Sequence, residues 1–147
     1  MQIKFKKLSA DAIAPYKASE DAIGYDLFAP QDFVVQSGRN LVQTNIAIEI
    51  PAGFAADVRP RSGYSLKGFP DKDGQRCNAD VLLGTIDPDY RGDVGVIINN
   101  NDAPFVIGKG QRIAQLVIHR CEVCNFVECD SLSQTMSGNN GFNSTGK

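Results

Sequence analysis

Between residues 40 and 50 the chain alternates, with Val42, Thr44, Ile46, Ile48 and Ile50 on one side and Gln43, Asn45, Ala47 and Glu49 on the other. A period of two marks a half-buried strand. Phe54, Ala56 and Val58 resume the period after a turn at Pro51, Ala52 and Gly53. Shorter apolar runs stand at residues 3–8, 33–36, 94–99, 105–107, 113–118 and 123–127, separated by clusters of Gly, Pro, Asn and Asp. Helical periodicity is nearly absent. One short helix is predicted over Ser62–Lys67, kept brief by Gly63 and Gly68. Many short strands with regular turn signals predict an all-β sandwich, jelly roll or barrel, and no repeat or linker divides it.

At 147 residues the chain has the size of one domain with a proper core. A net charge of −2 and a pI near 5.3 exclude a general basic face for nucleic acid or anionic lipid. Any phosphate binding must then come from a local arginine cluster. Neither a signal peptide nor a membrane span is expected, so a soluble cytoplasmic protein without nucleic-acid or membrane partners is the expectation. Cys77, Cys121, Cys124 and Cys129 form only part of a zinc pattern and are read as reduced thiols. His119 is the single histidine and ends an apolar strand, which disfavours histidine-based nucleophilic or metal chemistry.

Two segments break the alternation. Residues 70–80 read as a polar, solvated loop. Residues 137–147 are small and polar around one aromatic, Phe142, which has no local core to join but could stack on a planar ligand.

Four stretches carry candidate chemistry. Residues 84–92, Gly-Thr-Ile-Asp-Pro-Asp-Tyr-Arg-Gly, place Asp87, Asp89 and Tyr90 where two strands are expected to meet at a tight turn. Either aspartate is ionised near neutral pH and suited to act as a general base on water. Residues 60–68 open the short helix with Arg61, Ser62 and Gly63, a set of fork donor, hydroxyl and free amides that suits an anion. In residues 22–27, Asp26 sits among apolar neighbours and needs a cationic partner. Residues 108–117 present Arg112 and Gln115 from a strand, with Arg112 a natural partner for Asp26 or for a phosphate.

In this order, these stretches and residues 137–146 resemble the five motifs of the trimeric dUTPases, and the resemblance spans nearly the whole chain. It implies a jelly-roll-like distorted β-barrel over residues 1–136, with a flexible C-terminal lid at 137–147. It further implies a homotrimer with sites at subunit boundaries. The implied reaction is hydrolysis of dUTP to dUMP and pyrophosphate, with Mg2+ held by triphosphate oxygens and water rather than by protein ligands. That reaction would limit uracil in DNA and supply dUMP for dTMP synthesis.

Residue by residue, the resemblance makes Asp87 the base that activates water against the α-phosphorus, and Tyr90 the platform that excludes a 2′-hydroxyl. A hairpin around Val81 and Gly84 would read uracil. Arg61, Ser62 and Gly63 would hold phosphates with Arg112 and Gln115, while Asp26, Lys67 and Asp89 give support. Phe142 would stack on the uracil, and Ser144 and Thr145 would touch phosphates. The family usually has arginine where this chain has Ser137, so the γ-phosphate clamp is expected to be weaker. A non-catalytic dUTP-binding relative and a dCTP deaminase relative are the alternatives within the fold.

Overall fold

The computed structural model describes residues 1–139. Its strands are β1 (Lys4–Lys7), β2 (Tyr16–Lys17), β3 (Tyr25–Phe28), β4 (Phe33–Val35), β5 (Gly38–Gln43), β6 (Ile46–Glu49) and β7 (Phe54–Arg59). After helix α1 (Ser62–Lys67) come β8 (Phe69–Pro70), β9 (Arg76–Cys77), β10 (Ala79–Leu82), β11 (Gly84–Ile86), β12 (Gly95–Asn100), β13 (Phe105–Ile107) and β14 (Arg112–Arg120). Two sheets dominate, ordered β11-β7-β14-β3-β2 and β10-β12-β5, and three two-stranded pairs close the flanks. The expected all-β, jelly-roll-like fold with one short helix is what the chain forms.

The core follows the alternation. Val42, Thr44, Ile46, Ile48 and Ile50 are all buried, as are Val96 and Ile98 on the neighbouring strand β12 and Val94 just before it. Yet residues 40–50 are not one strand. Asn45 takes a positive φ of 56° and splits the run into β5 and β6, the first pairing with β12 and the second with β1. Asparagine tolerates that left-handed conformation better than most residues. The inward set keeps its phase across the break, so the pattern identified the face but not the corner.

Two expectations are corrected. Residues 123–127 form no strand: Val123, Phe126 and Val127 are 83–102% exposed and pair with no strand among the described residues. The polar stretch after Phe69 is no simple loop, since β8 and β9 pair there as a hairpin. Its turn is built by Asp71, whose Oδ1 accepts the amides of Asp73 and Gln75 at 2.8 and 2.9 Å.

Candidate active site

Asp26 organises the first of two groups. On β3 it is 7% exposed, and it faces Gln115 across the β3–β14 ladder. Arg61 Nε donates to Asp26 Oδ1 at 2.9 Å, and Arg112 Nε lies 3.3 Å from Oδ2. In an uninterrupted strand Arg112 and Gln115, three residues apart, would face opposite sides. A register shift between Arg112 and Ala114 buries both Ile113 and Ala114 and turns Arg112 onto the Asp26 side. Gln115 Nε2 donates to the Pro60 carbonyl at 2.9 Å, so it ties the segment before α1 to the sheet. It lies over Gly24, where a Cβ would displace the Gln115 carboxamide from this position. Ser62 and Gly63 open α1 with exposed positions, and first-turn amides of a helix have no internal acceptor. Lys67 is exposed in the last turn of α1.

The second group surrounds Asp87. The Tyr90 amide donates to the Asp87 carbonyl at 3.1 Å, which closes the turn, and Arg91 Nη1 braces it through the Pro88 and Tyr90 carbonyls at 2.6 and 3.0 Å. The Asp87 carboxylate and the Tyr90 ring are exposed on a shallow pocket of about 280 Å³ that also takes in Gly84, Thr85, Asp93 and Ile97. Asp89 is exposed on the turn. The flanking strands do not pair with each other as the sequence predicted. β11 pairs with β7 and β12 with β10, so the turn bridges the two main sheets. The same crossing separates Val81 from Gly84. Val81 is buried in β10, Gly84 begins β11, and no hairpin joins them. Phe142, Ser144 and Thr145 lie outside the described residues.

The two groups stand apart. Asp26 is level with Arg59 through Gln115, whereas Asp87 follows Ile86, which is level with Ala56 near the other end of β7. β3 and β11 are also separated by β14 and β7. Strand spacing and rise put the Asp26 and Asp87 backbones on the order of 20 Å apart.

Sequence reasoning missed three participants. Asp93 lies under the pocket; its carbonyl accepts the Tyr90 hydroxyl at 3.0 Å, and its own Oδ1 is buried without a hydrogen-bond partner among the described residues. Burial pushes its carboxyl above the ordinary range, against the pull of the Asn45, Ile46 and Thr44 amides and the Thr44 hydroxyl. A raised native value means stability that is full below the unfolded value and lost as pH rises through the native one. Asp93→Asn is therefore expected to flatten the fall in stability as pH rises above the ordinary aspartate range, read as melting temperature against pH beside the wild type. Parallel profiles would rule this out.

Asp57 is the second. Burial raises its carboxyl, but hydrogen bonds from Arg59 at 2.8 Å and Thr85 at 3.0 Å, with the charges of His119 and Arg59, hold it below the ordinary value. An aspartate between Ala56 and Val58 with arginine two residues on was a readable signal, since both project from one face. Tyr64 is the third. Its hydroxyl donates to the Arg112 carbonyl at 2.8 Å, and no spacing rule announced that bond.

The chain matches the dUTPase family over residues 10–146. It belongs to that family. It is 46% identical over 149 residues to the deoxyuridine 5′-triphosphate nucleotidohydrolase of a Hydrogenobaculum species, covering 99% of each chain. It is 42% identical over 145 residues to that of Arabidopsis thaliana, covering 97% of this chain and 82% of the other. The dUTPase of Staphylococcus bacteriophage 80alpha, solved with dUPNHPP, superposes with a TM-score of 0.87 at 25% identity over 99% of both chains. The dUTPase of phage phi11, described for its coordination of a structural Mg(II) ion, gives 0.78 at 23% identity over 89% of this chain and 98% of that one. The enzymatic class is that of a dUTP diphosphatase, and no helix among the described residues is long and apolar enough to cross a membrane. No three His, Cys, Asp or Glu side chains gather as a metal cage among the described residues. The donors at the Asp26 group are cationic, and the Asp26 carboxylate is engaged by two of them. The Asp26 group therefore offers positive charge to an anion rather than oxygen ligands to a metal ion.

Proposed function

We propose that this dUTPase cleaves dUTP to dUMP and pyrophosphate with Asp87 as the base that activates water against the α-phosphorus. Asp87 has no salt-bridge partner among the described residues, and it stands on the rim of a pocket floored by Tyr90. That free carboxylate beside a fixed ring is the observation that carries the reading. Tyr90 packs under the deoxyribose and leaves no room for a 2′-hydroxyl; its hydroxyl bond to Asp93 supports a fixed ring. Backbone groups from Val81 to Gly84 read the uracil. Arg61, Ser62, Gly63, Arg112 and Gln115 hold the phosphates, oriented by Asp26, with Lys67 and Asp89 in support. Holding the triphosphate in one geometry supplies much of the rate. Mg2+ bound to the triphosphate supplies charge neutralisation when present.

The separation of the two groups supports a site completed between copies, as in a homotrimer: one copy gives the arginines and another gives Asp87. The lid at residues 137–147 would bring Phe142 over the uracil and Ser144 and Thr145 to the phosphates. dUTP with Mg2+, scored for pyrophosphate, tests the reaction; dCTP scored for ammonia tests the deaminase alternative. Ser137→Arg is expected to tighten binding of a dUTP analogue several-fold, since serine cannot form a cationic fork. Unchanged affinity in a titration would remove the idea of a weakened γ-phosphate clamp. The biological role is removal of dUTP before it enters DNA and supply of dUMP for dTMP synthesis, and we place it in the cytoplasm.

A further inference from the structure

The β8–β9 hairpin brings a cation to the arginine group that no motif includes. Arg76, on β9, places its guanidinium carbon 5.7 Å from the Tyr64 ring centroid, and Arg61 places its own 5.1 Å from the same centroid. Both distances lie within cation–π range, which keeps the two guanidiniums within about 11 Å of one another. The shared ring is fixed from two sides. Its hydroxyl is bound to the Arg112 carbonyl, and it packs edge-on against buried Phe69 with centroids 5.0 Å apart. Arg76 is steadied by a 3.1 Å bond from Nη1 to the Gly68 carbonyl at the end of α1.

Charge makes this arrangement informative. Arg61 and Arg76 stand on the Tyr64 ring, Arg112 shares Asp26 with Arg61, and Asp26 is the only carboxylate paired with any of the three among the described residues. Asp71, Asp73 and Asp102 line the same hollow as Arg76 without pairing with it: Asp71 Oδ1 accepts two backbone amides, Asp102 Oδ2 accepts the Asn78 amide at 2.9 Å, and Asp73 pairs with Lys72 at 3.7 Å. Arg61 and Arg112 divide one carboxylate and Arg76 forms a salt bridge with none among the described residues, so an anion set between them gains charge-assisted hydrogen bonds. We propose that Arg76 is a further phosphate-binding residue, a third guanidinium that the hairpin carries to the β- and γ-phosphates of the nucleotide. This rests on the reading above in taking a triphosphate as the occupant of the arginine group.

The test is titration of the wild type and Arg76→Gln with dUMP, dUDP and a non-hydrolysable dUTP analogue. The expected result is a loss of about tenfold or more for the analogue, a smaller loss for dUDP and none for dUMP. Arg76→Lys should fall between, because it keeps the charge but loses the fork and the stack on Tyr64. A purely structural role would weaken all three ligands alike, and that outcome overturns the proposal. So does a wild-type preference for the analogue over dUMP that Arg76→Gln leaves unchanged, in which case the proposed function stands. A wild type that binds none of the three overturns both.

Discussion

Asp87→Asn is expected to cut dUTP turnover by roughly 100- to 10,000-fold while a dUTP analogue binds with nearly unchanged affinity. Asparagine keeps the size of the side chain and its place on the turn, but it cannot accept a proton from water. The turn itself is held by the Tyr90 amide, the Arg91 guanidinium and the Tyr90 hydroxyl, none of which uses the Asp87 carboxylate. Local structure should therefore survive the change. The split between kcat and binding is the informative readout, because a positioning role would damage both. Pyrophosphate release at the wild-type rate would remove Asp87 as the base. Asp89→Asn is the control: the same substitution two residues away should leave kcat within a few-fold.

Which parts of this were legible in the sequence follows from what each depends on. Helix α1 and the inward residues of β5, β6 and β12 were readable because glycine placement and a period of two are local properties. The pairing of Asp26 with an arginine was anticipated from the cost of burying a lone carboxylate, and the structure adds a second arginine to it. The break at Asn45 and the register shift beside Ile113 were not readable. Both are decided by which strands lie opposite, and alternation carries no information about partners. The same limit explains the failed strand at residues 123–127: it has the composition of a strand, but no strand among the described residues pairs with it. Tyr64 was hidden for a related reason. Its ring matters only once the distant Arg76 and Arg112 are brought beside it.

The second large effect is a recovery of activity. Asp87→Asn and Arg61→Ala are each expected to be nearly inactive alone, the first without the base and the second without a phosphate fork. Unfolded and refolded together in equal amounts, they should regain about a quarter of wild-type activity if each site takes its arginines from one subunit and Asp87 from the next. In a ring, a boundary is productive only when an Asp87→Asn subunit gives the arginines and an Arg61→Ala subunit gives the aspartate. Random assembly makes that pairing at one boundary in four. The proposed sharing rests on Arg61 being tied to Asp26 on β3 while Asp87 leaves β11, three strand spacings away and near the opposite end of β7. A mixture that stays as inactive as its components would mean that one chain assembles the whole site. It would also require the Asp26–Arg61 bond to open and Arg61 to cross the face of the sheet, which crosslinking between the two positions could detect.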